Sequence, residues 1–177
     1  MSDPTESPAQ PRRLLVVWHS RTGASRQMTE AALYGAEQAA ETMGEAERLR
    51  LQVRSAQEAT ADDVLTADGY LFCGPENLAA LSGAMKEFFD RCYYPALDRI
   101  AGRPYALLVA AGSDGAGAVR QAERICTGWR LQPAAPPLVI ITRAQTPEAI
   151  LAPKTVPEDD LKACAELGGT LAARLLL

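Results

Sequence analysis

The sequence lacks the residues from which several common kinds of functional site are built. It contains one histidine and four cysteines, and the cysteines are far apart, so no metal-binding Cys/His cluster is predicted. We expect the cysteines to be small buried apolar residues. No apolar run approaches the roughly 20 residues that a membrane-spanning helix requires. The motifs Gly-x-x-x-x-Gly-Lys-Ser/Thr and Gly-x-Gly-x-x-Gly are absent, which disfavours a nucleotide triphosphatase and a dinucleotide-binding loop.

Composition indicates a globular protein rather than a nucleic-acid-binding one. The 177 residues are 47% apolar and 23% charged, and the formal net charge is −4. Nucleic-acid binding requires clustered Lys and Arg, so we expect no nucleic-acid partner. Because the sequence has no long apolar run, we also expect no membrane insertion. Residues 1–11 are polar and proline-rich without the features of a signal peptide. We interpret them as a disordered leader before a single domain at residues 12–177, and we expect a cytoplasmic protein.

Buried-strand and amphipathic-helix patterns alternate along the chain. The predicted strands are 13–18, 49–53, 69–73, 104–111 and 138–142. Gly74-Pro75 is expected to end the third strand. A long connection then runs from Arg143 to Val156, and a last helix is expected to begin near Thr155 with Glu158 completing a capping box. Such alternation predicts an α/β fold in which a five-stranded parallel sheet has helices on both faces.

The loop after the first strand has the composition of a phosphate-binding site. Three hydroxyl side chains and a glycine stand between an apolar strand and a long helical pattern. Backbone N–H groups at a helix start attract anions, and glycine permits their close approach. The candidate phosphate-binding residues are Ser20, Arg21, Thr22, Gly23, Ala24 and Ser25. An ordinary helix cap rich in Ser and Thr is the alternative interpretation.

Two segments resemble the flavodoxin-like superfamily. The run 20–25 is similar to its FMN-phosphate loop, which reads Ser/Thr-x-Thr-Gly-x-Thr/Ser. Segment 82–91, Ser-Gly-Ala-Met-Lys-Glu-Phe-Phe-Asp-Arg, resembles NAD(P)H-dependent FMN reductases and quinone oxidoreductases like the tryptophan-repressor-binding protein. The resemblance implies a three-layer sandwich with strand order 2-1-3-4-5, FMN as cofactor, NADH or NADPH as electron donor, and a homodimer.

The same resemblance implies that the loops after the third and fourth strands border the flavin ring. The candidate cofactor-binding residues there are Pro75, Glu76, Asn77, Leu78, Gly112, Ser113 and Asp114. The sequence departs from the family pattern where Asn77 replaces an aromatic residue and Ala79 replaces a glycine. Glu76 is interpreted either as a carboxylate that opposes negative charge on the flavin or as a solvated surface charge, and Asp114 alternatively as a helix cap.

The resemblance implies an FMN-binding oxidoreductase that passes electrons from NAD(P)H through the flavin to a quinone, another flavin or a similar small acceptor. The cofactor carries such chemistry, so no catalytic side chain is assigned. His19 is expected to support the loop or face solvent, with proton donation as the alternative. Two other functions stay open: an electron-transfer flavodoxin without enzymatic activity, and a flavin-free interaction domain.

Overall fold

The computed structural model describes residues 10–177 of the chain. Most of the leader predicted at residues 1–11 therefore lies outside the described residues. The strands are β1 (Arg12–Trp18), β2 (Leu49–Ser55), β3 (Gly69–Asn77), β4 (Ala80–Leu81), β5 (Pro104–Ala111), β6 (Gln132–Pro133) and β7 (Leu138–Ile141). The α-helices are α1 (Ala24–Thr42), α2 (Ala61–Thr66), α3 (Gly83–Ala96), α4 (Ala116–Gly128), α5 (Pro147–Leu151) and α6 (Glu158–Leu176), and a 3₁₀ turn spans Ala46–Arg48.

The long strands form a parallel sheet in the order β2-β1-β3-β5, and β7 pairs with the far side of β5. This confirms the flavodoxin-like order 2-1-3-4-5 for the five predicted strands. The fifth position is split, because β6 pairs with the start of β5 and β7 with its end. The intervening segment 134–137 reads Ala-Ala-Pro-Pro, and proline removes backbone donors from a ladder.

Alternate side chains of β1 enter different cores, which explains why its sequence is apolar throughout. Leu15 and Val17 join the aromatic cluster beneath α3 and α4, whereas Leu14 and Val16 pack under α1 and α6. A strand buried on both faces needs such a continuous apolar run. The sheet therefore lies between two helical layers. Among residues 10–177 no helix is long and apolar enough to cross a membrane.

Helices α1 and α6 approach each other closely because glycines face their contact. An added Cβ at Gly35 would collide with the carbonyl of Ala165, and one at Gly168 with the carbonyl of Ala32. The two backbones thus touch where no side chain intervenes. The candidate phosphate loop lies between β1 and the N-terminus of α1, the helix held by this contact.

Two predicted boundaries were wrong. β3 continues through Gly74-Pro75 to Asn77, because its ladder to β5 extends to the pair Pro75–Ala110 and the Pro75 carbonyl accepts a hydrogen bond from Ser82. The predicted long connection after β7 is present, and it contains the short helix α5. The last helix begins at Glu158 after the N-cap Pro157, and no side chain caps it, so the predicted capping box does not form.

Candidate functional site

A cavity of about 300 Å³ lies where β1, β3, β5 and β7 end, the place where parallel α/β sheets bind ligands. Its lining residues are Ser20, Arg21, Thr22, Ala24, Ser25, Pro75, Glu76, Asn77, Leu78, Ala79, Ala110, Ala111, Gly112, Ser113, Thr142, Ala144, Ile150, Leu151 and Lys154. The structure thus brings together eleven of the thirteen candidate residues predicted from sequence. Gly23 and Asp114 do not line the cavity.

Gly23 shapes the loop between β1 and α1, which we call the first loop, although Gly23 does not face the cavity. It is the N-cap of α1 and has a φ of 96°, a left-handed conformation that disfavours residues with a Cβ. Its N–H donates to Ser20 Oγ at 3.0 Å, and its carbonyl accepts from the N–H of Gln27 at 3.2 Å. The amides that precede this first intrahelical bond form the positive end of the α1 dipole.

Ser25 has a buried hydroxyl at this helix end. The residue is 1% exposed, and its Oγ has no hydrogen-bond partner among residues 10–177. Its carbonyl, by contrast, accepts from Thr29 Oγ1 at 2.8 Å and from Cys73 Sγ at 3.3 Å. A buried hydroxyl without a partner is costly, and this one lies on the cavity wall. It therefore fits an anion bound at the N-terminus of α1.

Glu76 does not present its carboxylate to the cavity as an isolated charge. Its oxygens accept from the backbone N–H groups of Gly115 at 2.7 Å, Gly117 at 3.2 Å and Ala118 at 3.3 Å. It thereby caps α4 from β3, a role that neither interpretation of Glu76 had anticipated. Asp114 does not cap this helix: the N-cap is Gly115, and it makes no side-chain cap hydrogen bond.

A tight turn joins β3 to β4 at the cavity mouth. Its central residues, Leu78 and Ala79, have φ values of 51° and 61°, a conformation usually occupied by Asn and Gly in hairpins. Leu78 is fully exposed at 102%. Asn77 ends β3 and pairs with Ala80. The two departures from the family pattern, Asn77 and Ala79, therefore both lie on the cavity wall.

His19 connects the first loop to the start of α3. Its ring Nδ1 lies 2.9 Å from Ser82 Oγ, and its backbone N–H donates to the carbonyl of Cys73 at 3.0 Å. Burial, and secondarily the charge of Arg21, lowers the pKa of His19 below its usual 6.5. Ser82 in turn caps α3 by accepting from the N–H of Met85. This arrangement supports the loop, and His19 is not among the residues that line the cavity.

Sequence reasoning missed one wall of the cavity. We call residues 143–157, between β7 and α6, the strap. Ile150 and Leu151 of α5 and Lys154 contribute to this wall. The length and prolines of the connection marked it as unusual, but no motif identified these side chains. The strap reaches the first loop through the N–H of Lys154, which donates to the carbonyl of Thr22 at 2.8 Å.

The fold and this cavity define a flavodoxin-like α/β protein. The chain is similar to a flavodoxin from the domain Archaea, with a TM-score of 0.70, 17% identity, and coverage of 92% of this chain and 98% of that one. It is similar also to the flavodoxin, WrbA-like protein from Agrobacterium tumefaciens, with a TM-score of 0.63, 16% identity, and coverage of 93% and 97%. These similarities confirm the fold predicted from the sequence.

Residues 20–146 match the model of the NADPH-dependent FMN reductase family, so the chain belongs to that family. It is also 30% identical over 105 residues to a flavodoxin of Aquifex aeolicus, an alignment that covers 59% of this chain. The alignment spans about half of that relative, 53% of its length. Family and fold together indicate a flavoprotein that binds FMN, in agreement with the resemblance found in the sequence.

Proposed function

We propose that the cavity binds FMN with its phosphate at the N-terminus of α1, and that the protein passes electrons from NADH or NADPH through the flavin to a small acceptor such as a quinone or another flavin. The unpartnered hydroxyl of Ser25 carries this proposal. It lies on the cavity wall at the positive end of a helix, where a phosphate oxygen is the fitting acceptor.

The first loop supplies the phosphate-binding groups in this proposal. Ser20, Thr22 and Ser25 provide hydroxyl donors, and Arg21 adds a positive charge beside them. The Ser20 oxygen already accepts from the N–H of Gly23, so its proton is directed away from the loop backbone and is available to the ligand. Charge-assisted hydrogen bonds of this kind are the strong ones.

The remaining walls hold and enclose the ring system. Bound FMN supplies the hydride and electron chemistry, and the chain has to bind and orient it. The turn at Leu78, the loop at Gly112 and Ser113, and the strap surround the cavity. Glu76 directs its charge to the amides of α4, so its role here is to fix the loop after β5 against the turn.

The test is a titration of the purified protein with FMN and with riboflavin, followed by steady-state assays with NADH or NADPH and benzoquinone. We expect tighter binding of FMN than of riboflavin, and flavin-dependent oxidation of one of the two donors. Thr22→Val should weaken FMN binding alone, whereas the matched Thr42→Val, on the exposed end of α1, should not. Equal affinities for FMN and riboflavin would contradict the placement of the phosphate.

One observation favours a second function, that of an electron carrier without enzymatic activity. The Aquifex aeolicus relative that shares 30% identity is described as a flavodoxin. A carrier exchanges single electrons with partner proteins and does not oxidise NADH or NADPH catalytically. Flavin-loaded protein that is inactive with both donors and several quinones, but that exchanges electrons with a redox protein, would favour the carrier.

The proposal extends to assembly and location. A homodimer fits the exposed surface of α3, where the Tyr94 side chain is 78% exposed beside Tyr93. Sedimentation of the wild type and of Tyr94→Ser tests this, since a dimer that uses this surface should dissociate in the variant. The four free, buried cysteines fit a reducing cytoplasm.

A further inference from the structure

We propose that the strap is a structural wall of the flavin site, and that Gln27 and Lys154 are positioning residues that hold it against the phosphate loop. This inference rests on the proposed function, because it assigns a role in flavin binding to residues outside the first loop. It adds to the three loops predicted from the sequence a fourth segment that determines how tightly the ring system is held.

The Gln27 side chain joins the phosphate loop to the strap. Its Nε2 donates to the carbonyl of Gly23 at 2.9 Å and to the carbonyl of Lys154 at 2.8 Å, while its Oε1 accepts from the N–H of Val156 at 3.0 Å. Both amide protons and the oxygen are therefore used. Such a saturated, partly buried amide fixes the two segments relative to each other more firmly than an isolated contact.

The Lys154 side chain organises α5. Its ammonium donates to the carbonyls of Ala149 at 2.6 Å, Ile150 at 3.1 Å and Ala152 at 2.6 Å. These three bonds use all three ammonium protons, and they satisfy carbonyl groups at the C-terminal end of a five-residue helix. A helix of this length has little stability of its own. Its position therefore depends on these three hydrogen bonds, which we call the Lys154 clamp.

Helix α5, held by the Lys154 clamp, presents an apolar surface to the cavity. Ile150 is 51% exposed and Leu151 is 66% exposed, and both line the cavity. Leu78 stands on the β3–β4 turn in the same lining and is fully exposed at 102%. Large apolar side chains gathered around one opening are the groups that a flat, largely apolar ring system would cover. A strap held loosely would leave part of that ring in contact with water.

The experiment compares two pairs of matched variants. Gln27→Met removes the bridge, and Gln38→Met makes the same change at an exposed position of the same helix. Lys154→Met removes the clamp but keeps all three Gln27 bonds, and Lys162→Met is its control on α6. For each protein we would measure the Kd of riboflavin and of FMN by flavin fluorescence, and the hydrogen exchange of backbone amides in α5.

Riboflavin is the decisive probe because it lacks the phosphate. We expect both test variants to bind riboflavin at least fivefold more weakly than the wild type and to exchange the α5 amides at least tenfold faster, with both controls unchanged. Weakened FMN binding with wild-type riboflavin binding and wild-type exchange would overturn the inference, since Gln27 would then support the phosphate loop only.

The outcomes also separate this inference from the proposed function. A wild type that binds neither FMN nor riboflavin refutes both. A wild type that binds FMN, with test variants that match it in riboflavin affinity and exchange, refutes the strap alone. If Gln27→Met does not fold, Lys154→Met decides the question by itself, because the bonds between the strap and the phosphate loop stay intact in it.

Discussion

Replacing Ser25 by alanine should stabilise the flavin-free protein and weaken its binding of FMN. The Ser25 hydroxyl is buried without a partner among residues 10–177. Leaving a buried hydroxyl unpaired costs about 1–3 kcal/mol, and alanine is the better helix former by a few tenths of a kcal/mol. We therefore expect the free energy of unfolding of the flavin-free Ser25→Ala variant to rise by about 1 kcal/mol or more.

In the FMN complex the same hydroxyl would donate to a charged phosphate oxygen. Such a bond contributes about 1.5–3 kcal/mol, which corresponds to a loss in FMN affinity of about 10- to 150-fold. Riboflavin affinity should not change, because riboflavin has no phosphate. Urea denaturation of the flavin-free protein and fluorescence titration with both flavins measure these quantities.

Ser82→Ala is the matched control. Ser82 is the other buried serine among residues 10–177, but its hydroxyl is bonded to His19 and to the N–H of Met85. Its loss should lower the free energy of unfolding by about 1–3 kcal/mol, opposite in sign to the change at Ser25. A Ser25→Ala variant that is destabilised to a similar degree and binds FMN normally would refute the assignment of this hydroxyl to the phosphate.

Three further predictions concern stability. Gly35→Ala should lower the free energy of unfolding by about 3 kcal/mol or more in urea denaturation, because its Cβ meets a carbonyl of α6. The control Gly83→Ala, whose Cβ meets nothing within 4 Å, should raise the free energy of unfolding by about 0.5–1 kcal/mol. Similar losses in both variants would contradict the close packing. Glu76→Gln should lower the free energy of unfolding by about 1 kcal/mol, because it weakens the charged cap of α4. Glu166→Gln, on an exposed face of α6, should not change the free energy of unfolding measurably in the same assay. His19, the only histidine, should titrate below pH 6.5 by NMR, because its pKa is lowered in the folded state. The unfolded state therefore binds more protons near that pH, so the contribution of His19 to stability is present above pH 6.5 and is lost as the pH falls through the folded pKa. This loss of stability should be absent in His19→Gln.

The sequence was sufficient to predict the sheet and the position of the loop between β1 and α1 because both depend on local patterns. A strand buried on both faces is apolar throughout, as in the segment Leu14–Val17, and the order of strands followed from the family resemblance. The ends of elements were less predictable. Pro75 signals a strand end, yet its carbonyl still accepts a hydrogen bond from Ser82, and the residue still pairs with Ala110 of β5. Thr155 signals a helix start, but its neighbours Lys154 and Val156 donate their backbone N–H groups to Thr22 and Gln27. Helix α6 begins only at Glu158.

The remaining features of the site depend on residues that are distant in sequence. Glu76 caps a helix that begins 40 residues later, and Gln27 bonds to Lys154 and Val156, which are 127 and 129 residues away in the chain. A carboxylate at the end of a strand and a glutamine on a helix carry no local signal for such partners, since their own neighbours do not require them. The sequence therefore indicated most residues of the candidate site but not the contacts that fix the walls of the cavity.

The β3–β4 turn shows why local rules fail at this site. Two consecutive non-glycine residues with positive φ are unfavourable by about 1–2 kcal/mol each, so the sequence Leu78-Ala79 predicts no such turn. Tertiary contacts enforce it: the N–H of Leu81 donates to the side chain of Gln121 at 2.9 Å, Glu76 binds the amides of α4, and the carbonyl of Ala79 lies where a Cβ at Gly117 would be. Strain that is held from several sides in this way concentrates at functional sites. Here it places a fully exposed leucine at the cavity mouth, a position that a relaxed loop would not maintain.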